Sequence, residues 1–160
     1  MNNEQFPHHS GMDFIADNAF PIEESQAYKS VCDIKSVEFV RIKKDKLLFV
    51  EAKTSFANPE NPPKSFRKEI KKIRDKYIHS LNLFSAIKTG VYEDALPDGF
   101  EVANKVSIQF ILVVRNLKSE WCRPIQLAIE RSFPKYFKNI WKPDVLVVNH
   151  DTAKKYSLIN

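Results

Sequence analysis

Alternation and helical spacing divide the middle of the chain into clear blocks. Ser36-Val37-Glu38-Phe39-Val40-Arg41-Ile42 is rich in β-branched and aromatic residues. Lys43-Lys44-Asp45-Lys46 is a polar break, and Leu47-Leu48-Phe49-Val50-Glu51-Ala52-Lys53 is a second run of the same kind. Two such runs around a short break predict a β-hairpin. Asn58-Pro59-Glu60-Asn61-Pro62-Pro63 then ends the sheet segment, because proline removes ladder donors and fixes φ. From Lys64 to Thr89, Phe66, Ile70, Ile73, Tyr77, Leu81 and Phe84 recur at helical spacing. That predicts one long helix with its basic residues mostly off the apolar stripe and Gly90 at its C-terminal stop.

Further along, Ser107 to Val114 is an apolar run that predicts a buried strand. Pro124 to about Arg131 reads as a helix with proline near its start, and Asp144 to Val148 as a last strand. Ahead of the hairpin the pattern is weak. Residues 1–20 read as an irregular N-terminal segment, with His8-His9-Ser10-Gly11 a loop and Asp13 to Ala19 a short helix. Pro21 to Tyr28 reads as another helix with proline in its first turn. The expectation is a single mixed α/β domain over 21–160 behind that segment, with no internal repeat.

The hairpin carries the candidate chemistry. A tight turn centred between Lys44 and Asp45 sets Ile42 opposite Leu47, Val40 opposite Phe49 and Glu38 opposite Glu51. Those six share one face, and Val37, Ala52, Phe39, Val50, Arg41 and Leu48 share the other. Two acids then lie side by side on an apolar face. Like charges directly opposed destabilise a sheet, and burial deepens the cost. Either one carboxyl is protonated or a cation lies between them. Mg²⁺ or Mn²⁺ suits paired carboxylate oxygens. Lys53, two residues beyond Glu51, projects to the same face. A divalent ion beside an ammonium makes a site for a phosphodiester.

Phe49-Val50-Glu51-Ala52-Lys53, with an acid on the preceding strand, resembles the PD-(D/E)XK nuclease superfamily. The resemblance implies a restriction-endonuclease-like core, a central mixed β-sheet flanked by helices, built as helix, three strands, helix and strand. It implies Glu38, Glu51 and Lys53 as catalytic residues and Glu38, Glu51 and the Ala52 carbonyl as ligands of Mg²⁺ or Mn²⁺. Glu23 or Glu24 matches the glutamate that many members place on the first core helix, and Asp33 is a fallback for Glu38. The substrate so implied is nucleic acid, with DNA ahead of RNA. Two features depart from the pattern: there is no Pro-Asp pair, and Glu stands where Asp is usual. The superfamily also includes inactive members, so a nucleic-acid-binding or protein-interaction module is the alternative reading. Glu-x-Lys is a common triplet, and the chain has a second one in Glu69-Ile70-Lys71.

Charge fits that substrate. The net charge is +5, but residues 1–28 have five acids and no Lys or Arg. Residues 64–88 concentrate the basic groups, and Arg67, Lys68, Lys71, Lys72 and Arg74 are the candidates for tracking a phosphate backbone. A solvated helix face is the bland alternative. With no separate recognition domain, specificity would need a homodimer or a larger complex.

Composition excludes other classes. The three glycines, Gly11, Gly90 and Gly99, fit neither a Walker loop nor a dinucleotide fingerprint. Cys32 and Cys122 are too few for a disulfide scaffold or a four-cysteine zinc site, and predict inert buried thiols in a reduced, cytoplasmic setting. Residues 1–5 lack a basic region followed by an apolar run, so no signal peptide is expected, and no apolar stretch is long enough for a membrane helix. His79 reads as a structural histidine with a chance approach to phosphate. His8 and His9 read as part of an irregular terminus. Trp121, Phe133, Tyr136, Phe137 and Trp141 read as core or dimer aromatics rather than base-stacking ones.

Overall fold

A computed structural model describes residues 6–60, 64–101 and 105–160 of the chain. The proline-rich break expected at 58–63 is therefore described only to Glu60, and residues 1–5, on which the expectation about a leader rests, lie outside the described residues. Two small strands, β1 (His8–His9) and β2 (Met12–Asp13), pair antiparallel. The main sheet has five strands in the order β3 (Ala19–Phe20), β4 (Phe39–Lys43), β5 (Lys46–Lys53), β6 (Ser107–Val114) and β7 (Asp144–Asn149). β3–β4 and β4–β5 are antiparallel, whereas β5–β6 and β6–β7 are parallel. The helices are α1 (Gln26–Ser30), α2 (Lys64–Lys88), α3 (Ser119–Ser132), α4 (Lys135–Trp141) and α5 (His150–Lys155), and a 3₁₀ turn at Ile22–Glu24 precedes α1.

The mixed α/β expectation holds at that level: a five-stranded mixed sheet lies among helices. The sheet is apolar on both faces, as the two-sided hairpin pattern implied. On one face Val40, Phe49, Phe110 and Leu112 pack with Ile73, Tyr77 and Leu81 of α2 and Ile125 and Ile129 of α3. On the other, Val50, Ile111 and Val113 pack with Met12 and Phe14 from the N-terminal segment and with Ala153 and Leu158. α2 ends as foreseen. Gly90 takes φ +84, its N–H donates to the Ile87 carbonyl, and Val91 N–H reaches back to Ala86. Those paired bonds satisfy carbonyls that the helix end would otherwise leave open.

Three local expectations are corrected. Residues 13–19 form no helix: Asp13 ends β2 and Ala19 begins β3. Strands of two residues are too short to show a period, and this segment is held by burying Met12 and Phe14 under the sheet. α3 begins at Ser119, so Pro124 sits inside it rather than near its start. The stripe of Trp121, Ile125, Ala128 and Ile129 packs into the core and carries the helix through the proline.

The third correction concerns the hairpin. Its register is the expected one from Lys43–Lys46 to Phe39–Val50, with Lys44 at φ +56 in the turn. At Glu38 it breaks. Glu38 N–H donates to the Val50 carbonyl at 3.0 Å, although Val50 already faces Phe39. Two residues against one is a β-bulge. The alternation shifts there, so Val37 packs with Val40 and Phe49 rather than on the face of Phe39. Glu38 thus does not stand directly opposite Glu51, which removes the like-charge pair that strict pairing would have imposed.

Candidate functional site

The carboxyl end of β5 with the loop that follows it, Glu38 just ahead of β4, Ser10 and the first half of α2 enclose an open cleft of about 480 Å³. Its walls include Ser10, Glu38, Glu51, Lys53, Lys72 and Lys76. The bulge therefore separates Glu38 from Glu51 along the ladder but leaves both in one cleft.

Glu51 lies at the bottom, only 2% exposed, because β5 is an interior strand and α2 covers its face. Its Oε1 accepts from Lys76 Nζ at 2.9 Å. Its Oε2 is buried and has no hydrogen-bond partner among the described residues. Burial pushes the carboxyl up to about 7, against the pull of Lys76 and Lys53. Glu23, from the 3₁₀ turn, is also pushed up to about 7, by burial and then by Glu38. Burial alone would pull the Lys76 ammonium down, but Glu51, Glu38 and Glu23 outweigh it and raise its pKa. Glu51 and Glu23, not the Glu38–Glu51 pair expected from strict alternation, are the acids pushed up, and the Lys76 ammonium lies beside them.

Lys53 reaches the same side of the sheet as Glu51, as expected, and its Nζ lies 3.3 Å from Glu69 Oε1 and 5.2 Å from the centre of the Phe56 ring. Glu69 Oε2 accepts from Ala57 N–H at 2.9 Å, which ties the loop after β5 to α2. Glu38, on the cleft wall, has Oε2 3.0 Å from His9 Nδ1. The sequence pattern puts His9 in an irregular terminus, whereas β1 sets it against the acid. Tyr77 is fully buried behind Glu51, with a hydroxyl that has no partner among the described residues; burial and Glu51 push its pKa well above 10.

The remaining candidates separate. Arg67, Lys68, Lys71 and Lys72 are exposed on α2, and only Lys72 reaches the cleft. Arg74 turns to Asp75, donating from Nε and Nη2 at 3.1 and 2.9 Å. His79 accepts from Lys35 N–H at 3.0 Å in a separate groove, as a structural histidine would. Cys32 is exposed rather than buried, and Asp33 is exposed and does not line the cleft. Phe133 and Phe137 stack in the core, whereas Tyr136 is exposed.

Lys76, Glu69 and His9 are the members of the site that sequence reasoning passed over. Lys76 stands beside Tyr77 and three residues after Ile73, at the border of the apolar stripe, where a long side chain buries its stem and extends its charge. That border position was the available signal. No three His, Cys, Asp or Glu side chains among the described residues are grouped as a metal cage. No helix among them is long and apolar enough to cross a membrane. Comparison with known families, curated proteins and solved structures returns no match.

Proposed function

We propose that the chain is a metal-dependent nuclease of the restriction-endonuclease-like type, hydrolysing phosphodiester bonds in DNA. The observation that carries this reading is Glu51: a buried carboxylate with one oxygen unpartnered at the floor of an open cleft, two residues from an ammonium on the same wall. Element order adds support. β4, β5, α2 and β6 follow one another in the order the resemblance implies, although α1 falls after β3 rather than ahead of all three strands.

The donor chemistry fits a small hard cation. Glu51 Oε2, Glu38 and the Ala52 carbonyl would hold Mg²⁺ or Mn²⁺, with water and phosphate oxygens completing the shell, as Mg²⁺ commonly requires. Such an ion supplies charge stabilisation at the phosphate and lowers the pKa of a bound water. The chain's own groups do the rest. Lys53, held by Glu69, orients the attacking water and meets the charge that develops on the phosphate oxygens. Lys76, paired with Glu51 Oε1 on the α2 wall of the cleft, would be a second ammonium beside the phosphate. Lys64, Lys68, Lys72 and Lys76 stand four residues apart, a ladder of like charges that costs stability in a bare helix. A polyanion lying along α2 relieves that repulsion, with Arg67 and Lys71 beside the ladder.

The test is cleavage of linear duplex and single-stranded DNA with and without Mg²⁺ or Mn²⁺. Cleavage by the wild type that disappears in Lys53→Ala is the expected result. One observation favours a second reading, a non-catalytic nucleic-acid-binding member of the same fold: Lys76 already neutralises Glu51. DNA binding with no cleavage at any metal tested would select it, and neither binding nor cleavage would overturn both.

A further inference from the structure

The carboxyl ends of β6 and β7 carry a second, strongly polar concavity of about 300 Å³, whose walls include Arg115, Asn116, Asn149 and His150. It adjoins the cleft through the backbone. Arg115 N–H donates to the Lys53 carbonyl and Asn116 N–H to the Thr54 carbonyl, both at 2.9 Å. Neighbouring strands run about 5 Å apart, so a group at the end of β6 is within one nucleotide's reach of a group at the end of β5.

The Arg115 side chain is set in place by the N-terminal hairpin. A Cβ on Gly11 would overlap its guanidinium at Nη1 and come within 3.1 Å of Cζ. Gly11 also takes φ +72, a conformation glycine adopts without strain. The guanidinium thus lies across Gly11, beside Ser10, which lines the cleft. Arg115 is exposed and makes no ion pair among the described residues. Asn149 is committed to the frame: its Nδ2 donates to the Leu117 carbonyl at 3.3 Å and its Oδ1 accepts from Thr152 N–H at 3.0 Å. Asp151 also borders the concavity; its side chain is 89% exposed, and its Oδ1 lies 3.6 Å from His150 Nδ1, which leaves Nε2 as the imidazole nitrogen open to a ligand.

A pre-positioned guanidinium with no ion-pair partner among the described residues, next to the Asn116 amide and the His150 imidazole, suits a phosphate, which matches the planar donor fork. We infer that Arg115, with Asn116 and His150, forms a phosphate subsite that holds the backbone phosphate next to the phosphodiester in the cleft. Its role as a positioning site rests on the nuclease reading; phosphate binding itself does not. Lys72 on the α2 wall and Arg115 beyond the Ser10–Gly11 tip then hold one strand from the two sides of the cleft.

The test uses inorganic phosphate and the full chain in metal-free buffer, followed by NMR. Phosphate should shift the Arg115 Nε–Hε and Asn116 side-chain amide resonances saturably, while chloride at equal ionic strength leaves them in place. In Arg115→Ala, with an unchanged melting temperature, phosphate affinity should fall by about tenfold or more, the worth of one charge-assisted contact. Should that variant fail to fold, Arg115→Gln, which keeps much of the stem without the charge, is read in the same way. Resonances that ignore phosphate or follow chloride equally, or a charge-free variant that binds phosphate as the wild type does, would overturn the subsite. The two proposals fail separately. A phosphate response at Arg115 in a protein that cleaves nothing removes the nuclease and leaves the subsite. Mg²⁺-dependent cleavage without that response does the reverse.

Discussion

The chain spells Glu-x-Lys twice, and the two copies meet in the structure. Glu51-Ala52-Lys53 lies in β5, where residues two apart share a face, so carboxylate and ammonium enter one cleft. Glu69-Ile70-Lys71 lies in α2, where two residues turn the backbone by about 200°. There Ile70 is buried, Glu69 faces the cleft and Lys71 points to solvent. The same letters set both charges in one cleft in the strand and divide them between cleft and solvent in the helix. They are nonetheless coupled, because Glu69 of the second copy is the ion-pair partner of Lys53 in the first. A triplet acquires meaning only from the periodicity of the element that carries it.

The sharpest way to break that comparison is cleavage by variants of the two lysines. Lys53→Ala should cost about 10²–10³-fold in Mg²⁺-dependent turnover, the usual loss when a transition-state electrostatic contact is removed. Lys71→Ala should change turnover by less than about twofold at moderate salt and act mainly on the salt dependence of binding. Equal effects at both lysines would show that neither triplet is a site.

Stability provides the next contrast. Lys76→Met leaves Glu51 buried without its cation, and removing one partner of a buried pair costs about 3–5 kcal/mol, visible as a lower urea midpoint above pH 8. Lys71→Met, on the exposed side, should stay within about 0.5 kcal/mol of wild type.

Acidity gives a finer test. Glu51 and Glu23 are each pushed up to about 7 from 4.5, with Glu38, Lys53 and Lys76 around them. The folded chain holds these protons where the unfolded chain has lost them. Stability from this source is therefore highest below about pH 4.5, falls as pH rises to about 7 and is level beyond it. Each group contributes at most about 1.4 kcal/mol per pH unit. Glu51→Gln should flatten that decline in urea titrations run between those limits, and an unchanged slope would show that Glu51 titrates normally. A modest effect is expected of Glu69→Gln. It weakens a partly exposed pair and a loop tie, and should lower stability by about 1 kcal/mol while reducing turnover less than Lys53→Ala.

Much of the frame was legible before any coordinates. Ser107 to Val114 is a strand from its first residue to its last, and α2 runs from Lys64 to Lys88 against an expected end at Thr89. Long periodic segments announce themselves because each residue repeats the same message about which side is buried. The N-terminal segment did not, since two-residue strands carry no period and their stability comes entirely from what they cover. The site divided the same way: Glu51 and Lys53 were visible through strand alternation, while Lys76 and His9 were not.

What the amino-acid order determined alone was local: the hairpin register, the turn at Lys44, the shared side of Glu51 and Lys53 and the length of the long helix. These follow from dihedral preference and from period 2 or 3.6, which act between near neighbours. What only the tertiary structure decided was company. The bulge that swings Glu38 towards His9, the ammonium that reaches Glu51 from α2 and the arginine that crosses Gly11 all depend on how separate elements pack. Charge is cheap to carry in water and costly to bury, so each buried acid takes its character from whichever residues the fold brings beside it.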